Sequence, residues 1–270
     1  MGSKIDPLLE RARWAVATWK LASDARSFAQ LARLRLSDPT IKTVDLRLRA
    51  LDDHTVAGRP GTADLWAIET LLPPVHLPPE QIALQDVQRI WDLGANIGLT
   101  MAHLALKCPD AQIVGVELDA ENAALCRRNV TPWAARCRVV EAAVWESDGE
   151  IVYGRQKGDE LGFAVEKDLD SGADGLRAKA LALNSLRNES EDLIDYVKMD
   201  IEGAERHVLR TNTQWAEGVR SIKVEVHPPY TVQECRQDLE SLGFRTWVDP
   251  LYRPEAGGMP PVAGIKPTYR

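Results

Sequence analysis

The sequence predicts an α/β fold built on a mostly parallel sheet with helices on both faces, and three observations carry that prediction. Strand-like and helix-like patterns alternate from residue 89 onward. The first strand runs into a glycine turn, Asp92-Leu93-Gly94-Ala95-Asn96-Ile97-Gly98, that opens a helix. The strand after that helix ends in the acidic Glu117. Strand, helix, strand at this spacing calls for right-handed crossovers, which build parallel sheets covered on both faces.

The elements follow in chain order. Residues 7–36 place apolar side chains at helical spacing (Leu8, Leu9, Ala12, Val16, Trp19, Leu21, then Phe28, Leu31, Leu34), with Arg11, Arg13, Arg26, Arg33 and Arg35 interleaved. This reads as an amphipathic helix or helix pair that covers the domain or packs on a partner. Trp14 and Trp19 on it offer a homodimer surface. A helix lying on a membrane surface is the sharper alternative, against which Glu10, Asp24 and Asp38 dilute the positive charge. The alternation of Val44, Leu46 and Leu48 predicts a half-buried strand over 41–51. Gly58-Arg59-Pro60-Gly61 is a turn, and 64–72 a helix ended by Pro73-Pro74. The repeating part then runs as strand 89–93, helix 99–107 stopping before Pro109, strand 113–118, helix 120–129 and strand 138–144. Residues 149–185 interrupt it: 149–153 and 178–183 read as strands flanking the polar stretch 168–175. The alternation resumes with strand 194–199, helix 204–211, strand 222–226, helix 232–242 and strand 244–248. The organisation is an N-terminal helical extension over 1–40, a strand-and-helix segment over 41–86 that packs on the core, and a core over 87–270 with an insertion at 149–185.

Composition excludes several classes of function. At 270 residues, 44% hydrophobic and 27% charged, the chain is an ordinary folded one. A net charge of −7 argues against a broadly basic nucleic-acid surface. No stretch approaches the roughly 18 apolar residues of a membrane span, and a signal-peptide core is absent from the start, so a cytoplasmic protein is expected. Cys108, Cys126, Cys137 and Cys235 form no C-x-x-C pair and have no histidine at zinc spacing, so they read as reduced, structural thiols.

The chemistry centres on the glycine turn. In an open parallel sheet a ligand binds beyond the carboxyl ends of the strands, where the strand order reverses. Free amides at the start of the following helix favour a negative group there. Glu117 lies 23 residues after Gly94, the place from which an acidic side chain accepts hydrogen bonds from ribose hydroxyls. A dinucleotide site needs a second glycine where Asn96 stands. S-adenosylmethionine carries no phosphate, and its ammonium group suits an acidic residue before the glycine, while its ribose suits Glu117. A second constellation, Lys198-Met199-Asp200-Ile201-Glu202-Gly203-Ala204-Glu205, puts Asp200 and Glu202 at another strand end. A third, Val224-Glu225-Val226-His227-Pro228-Pro229, puts Glu225 and His227 on one face, since side chains two apart in a strand point the same way. Glu202 and Glu205 also suit caps or surface ion pairs. His54, His76, His103 and His207 read as solvated, turn or capping residues.

Together, DLGANIG, VELD, VKMDIEGAE and VEVH resemble the FkbM-type methyltransferases, and TVAGRPGTADLWAIE is similar to the segment that precedes the first sheet strand in that family. The resemblance covers about residues 42–249, with KMDIEGAE its most specific part. It implies a class I methyltransferase (Rossmann-like) fold of seven strands with an antiparallel hairpin at one edge. It also implies S-adenosylmethionine as cofactor and a hydroxyl acceptor on a sugar, glycolipid or polyketide-type natural product. Carried onto this chain, Asp92, Gly94 and Asn96 would hold the methionine end and Glu117 the ribose. Leu118, Ala142 and Ala143 would flank the adenine, and Asp200 would stand beside the transferring methyl.

Methyl transfer is an in-line displacement, so much of the catalysis is placement of the acceptor oxygen. An alcohol also needs a base to take its proton. His227, with an ordinary pKa of about 6.5, is the expected base, with Glu225 or Asp200 orienting or replacing it. A second route uses a divalent cation such as Mg2+ on Asp200, Glu202 and Glu225; the metal-free route is favoured. The 155–185 region and the N-terminal helices are expected to form the acceptor pocket. Two alternatives come from other classes: a nicotinamide-dependent dehydrogenase, and a catalytically silent methyltransferase-like scaffold that oligomerises through its N-terminal helices.

Overall fold

The computed structural model describes residues 14–16, 18–36, 40–72, 74–155, 163–165, 176–188, 193–251 and 260–267. Leu8, Leu9, Ala12, Arg11 and Arg13 of the expected N-terminal helix, and the polar stretch 168–175, lie outside the described residues. The chain divides into two compact units, 1–72 and 73–270. No described helix is long and apolar enough to cross a membrane.

In the first unit, α1 (Ala25–Leu36) buries Leu31 and Leu34. Asp24 caps it, Oδ1 accepting from Ser27 N at 2.7 Å. β1 (Val44–Arg47) pairs antiparallel with β2 (Thr55–Gly58), Val44 opposite Gly58, and its alternation buries Val44 and Leu46. The strand is shorter than the pattern suggests, because Arg49–Leu51 coil into a single 3-10 turn. Asp52 and Asp53 follow in the left-handed region at φ 51° and 61°. The turn before α2 (Asp64–Glu69) is locked by Asp64, 1% exposed, which accepts from Arg59 N, Nε and Nη2 at 2.8, 3.0 and 2.9 Å.

The second unit is built on a seven-stranded sheet. Its elements are β3 (Arg89–Leu93), α3 (Leu99–Lys107), β4 (Gln112–Glu117), α4 (Ala120–Asn129), β5 (Cys137–Glu141), β6 (Ala143–Trp145), β7 (Gly149–Arg155), β8 (Phe163–Val165), β9 (Leu176–Ala182), α5 (Leu183–Asn188), β10 (Ile194–Met199), α6 (Glu205–Arg210), β11 (Val219–Glu225), α7 (Val232–Ser241), β12 (Arg245–Val248) and β13 (Pro261–Ile265). The order is β12-β13-β11-β10-β3-β4-β5. The five strands from β11 to β5 are parallel, and β13 runs antiparallel to both β11 and β12. The chain moves outward from β3 through β4 to β5, then returns past β3 to β10 and β11. The switch point of the sheet therefore lies between β3 and β10. Leu93, Val116, Val197, Met199, Ile222 and Val224 stack in its core.

Two elements depart from the pattern reading. The expected strand 138–144 is two strands: β5 stays in the main sheet, and β6 starts a separate four-stranded sheet of order β6-β9-β7-β8. The bond from Ala142 N to Glu117 O, 2.9 Å, marks the hand-over. β13, in a Gly- and Pro-rich tail that showed no strand alternation, is buried at Pro261 through Gly264. Such a strand reads as a plain apolar run.

His76 and His103 are also not solvated or capping residues. They form a buried pair, Nε2 to Nδ1 2.8 Å apart. Burial and neighbouring cations hold His76 well below its ordinary pKa and lower His103 to about 4. The four cysteines are free thiols, with Cys108, Cys126 and Cys235 buried.

Candidate active site

The glycine turn is shaped by what it approaches. Gly94 and Ala95 both donate their amides to Val116 O, at 2.9 and 3.0 Å, which ties the turn to β4. Gly94 has φ +79°, and a Cβ there would stand 1.7 Å from Asp200 O. The loop after β10 therefore crosses directly over the turn, and Asp200 N donates to Leu93 O at 3.0 Å. Gly98, at φ +82°, leaves room for Cys126, whose Sγ would lie 2.7 Å from an added Cβ. Asn96 adopts φ +48°, a conformation Asn tolerates better than most residues.

Glu117 is anchored by this turn. Its Oε2 accepts from Asn96 N at 2.7 Å and its Oε1 from Asp119 N at 2.9 Å. Burial pushes its carboxyl up, against the pull of those amide bonds. Before it opens a cleft, open to solvent. Gly94, Asn96, Glu117, Leu118, Ala142 and Ala143 line it together with Asp200, Ile201, Glu202 and Ala204. A fixed carboxylate beside an apolar slot walled by small side chains fits an adenosyl group. S-adenosylmethionine thus fits the residues present.

Of the residues expected to hold that cofactor, Asp92 alone does not reach the cavity wall. It is 0% exposed, and neither carboxylate oxygen makes a hydrogen bond. Burial pushes its pKa to about 6, against the opposing pull of Lys198. Lys198, which the sequence reading missed, sits between the two loops. Its Nζ donates to Gly94 O at 3.0 Å and pairs with Asp200 Oδ2 at 3.1 Å and Asp92 Oδ1 at 3.5 Å. Burial alone would lower its pKa, yet Asp200 and Asp92 raise it above the ordinary value. A lysine inside the apolar run Tyr196-Val197-Lys198-Met199 of a central strand was the available signal.

His227 lies beyond the end of β11, and its partner is Glu205 rather than Glu225. Nδ1 faces Glu205 Oε1 at 2.9 Å. Glu205 is 0% exposed and also accepts from Ile201 N at 3.1 Å and Gly203 N at 3.0 Å. The shared face expected for Glu225 and His227 assumes a continuing strand, but β11 ends at Glu225. On its other side His227 Nε2 is 3.4 Å from Glu202 Oε2 and 3.7 Å from Asp200 Oδ1. Burial lowers the pKa of the ring, but Glu205, Asp200 and Glu202 more than reverse this and raise it to about 9. The acidic neighbours thus move the ring away from the ordinary pKa expected for it. Burial and Asp200 raise Glu202 to about 7.

The profile of the Methyltransferase FkbM domain matches residues 92–246. The tRNA1(Val) (adenine(37)-N6)-methyltransferases of two Shewanella strains, MR-4 and MR-7, are each 40% identical over 63 residues, 23% of this chain. That stretch spans 26% of either relative's length. Among solved structures, precorrin-6y C5,15-methyltransferase of Geobacter metallireducens is 14% identical, with TM-score 0.43 over 73% of this chain and 86% of its own. Fibrillarin of Aeropyrum pernix is 13% identical, with TM-score 0.43 over 83% and 94%. An O-methyltransferase family protein of Burkholderia thailandensis is 11% identical, with TM-score 0.45 over 75% and 59%. The profile begins at the glycine turn and runs on into β12, so that more than half of the sequence is matched: the chain belongs to the FkbM family of S-adenosylmethionine-dependent methyltransferases.

Proposed function

We propose that this methyltransferase acts on oxygen, on a hydroxyl group of a sugar, glycolipid or polyketide-type natural product. One observation carries the reading: a single cavity is lined both by Glu117 with the small side chains around it and by the carboxylates of Asp200 and Glu202, with His227 next to those carboxylates. The cofactor supplies an electrophilic methyl on a sulfonium. Glu117 accepts from its ribose hydroxyls. Leu118, Ala142 and Ala143 enclose the adenine, and Gly94 and Asn96 receive the methionine end. Asp92 acts from beneath the turn, through Lys198. Asp200 would stand beside the transferring methyl. A hydroxyl acceptor must lose a proton, and the Asp200–Glu202–His227 wall is placed to assist, a contribution of about 10²–10⁴-fold in rate.

A tRNA acceptor, as in the names of the Shewanella relatives, is the second reading and rests on the 63-residue match. The acidic wall opposes it, since Asp200 and Glu202 would face phosphates. The test incubates the protein with methyl-labelled S-adenosylmethionine and either sugars and polyketide alcohols or bulk tRNA. Label in the alcohols is expected; label in tRNA alone would sink the hydroxyl reading.

A further inference from the structure

The side chains of Asp200, Glu202 and His227 each offer one ligand atom, and these atoms all lie within 4.8 Å of one another. They come from two loops, the first two from the end of β10 and the third from the end of β11. His227 Nε2 makes no hydrogen bond to either carboxylate: at 3.4 and 3.7 Å the separations are too long. They are close to the spacing of two atoms bound to one ion. Ligands about 2.1 Å from a metal stand about 3.0 Å apart in an octahedron and about 3.4 Å apart in a tetrahedron.

The ring is held for this use. Its Nδ1 side is fixed by Glu205 at 2.9 Å, and Glu205 is itself clamped by the amides of Ile201 and Gly203. A carboxylate on the second ring nitrogen is the usual support of a metal-binding histidine, fixing its orientation and raising its basicity. Asp200 gives Oδ2 to Lys198 at 3.1 Å, which leaves Oδ1 turned to the cluster. Asp200 and Glu202 are also on the cavity wall, so any coordination position they leave open faces the place of the acceptor.

We infer that Asp200, Glu202 and His227 form a binding site for a divalent cation of the Mn2+ kind, with one imidazole and two carboxylate ligands and the remaining positions open. This ligand set replaces Glu225 of the sequence expectation with His227. The inference deepens the hydroxyl-methylation reading, on which the use of the cation rests. An acceptor oxygen bound to the cation loses its proton to water more readily. Its freed electron pair then forms the C–O bond as the C–S bond breaks, and the sulfonium electrons return to sulfur as a neutral thioether.

The test is Mn2+ titration of the full chain, stripped with EDTA, by isothermal calorimetry, with S-adenosylhomocysteine titrated into the same samples. One Mn2+ per chain is expected. Glu202→Gln, at a half-exposed position that tolerates the change, should weaken Mn2+ about tenfold or more, and His227→Ala likewise. Both should leave S-adenosylhomocysteine binding in place, and Glu225→Gln should leave Mn2+ binding within about twofold of wild type. Absent Mn2+ binding, or binding that Glu202→Gln and His227→Ala leave unchanged, overturns the site. Homocysteine-compound binding without Mn2+ binding removes the cation and keeps the methyl-transfer reading. Mn2+ binding without the cofactor product keeps the site and removes its proposed use.

Discussion

Glu117, at the end of β4, gives both carboxylate oxygens to backbone amides, whereas Asp200, Glu202 and Glu205, past the end of β10, crowd around one imidazole. The two walls belong to one cavity, yet they treat charge in opposite ways. A carboxylate held by fixed amides is preorganised to accept a neutral hydroxyl and has little reason to move a proton. A wall with more carboxylates than local cations is electrostatically unfinished, and such a wall suits a step in which charge is redistributed. The comparison separates a holding side from a reacting side, and each can be disturbed without the other.

The largest disturbance joins the two. Gly94→Ala drives a methyl group into Asp200 O and forces an L residue to keep φ +79°. Roughly 3–5 kcal/mol of stability should be lost, together with S-adenosylhomocysteine binding. Urea denaturation checks this, and a midpoint equal to wild type would mean that the loops need not touch. On the reacting side alone, His227→Ala should lower turnover by about 10²–10⁴-fold while the dissociation constant for S-adenosylhomocysteine stays within error. Equal loss of both would erase the division between walls.

The buried pair His76–His103 sharpens the comparison from elsewhere in the same unit, because the charges that bear on His76 are cationic. The folded protein keeps His103 neutral down to about pH 4, while the unfolded chain takes up a proton near about pH 6.5. Stability should therefore fall as the pH drops below about 6.5, by on the order of 3 kcal/mol from His103 when the fall is complete. His103→Leu should flatten that part of the stability–pH curve, and an unchanged slope would refute the assignment. The smallest effect belongs to the holding side. Glu117→Ala should weaken the cofactor product by about tenfold to a hundredfold, the worth of bonds to a charged acceptor. Turnover at saturating cofactor should change little.

The holding wall was legible because it is written locally. A strand, a glycine turn, a helix and an acidic strand end occupy 92–117 in one continuous stretch, and each signals its own conformation. The alternation gave the parallel sheet, while the seven strands were implied by the family resemblance. The reacting wall was legible in its residues but not in its pairings. Glu205 and His227 lie 22 positions apart, and only the bend at 200–205 decides that Glu205 reaches the ring and Glu225 does not. Lys198 binds a carbonyl 104 positions away, a distance over which periodicity says nothing. The split of 137–145 into two sheets was hidden because a single residue, Ala142, separates the two strands.

Strand β13 sits between β11 and β12, although both are made before it. On the ribosome the sheet therefore grows with a vacant lane, flanked by two strands whose hydrogen-bonding groups have no neighbour on that side. Exposed strand edges of this kind are templates for wrong pairing. Because residues 261–265 fill the lane last, a chain broken off before them leaves β12 unattached in this sheet.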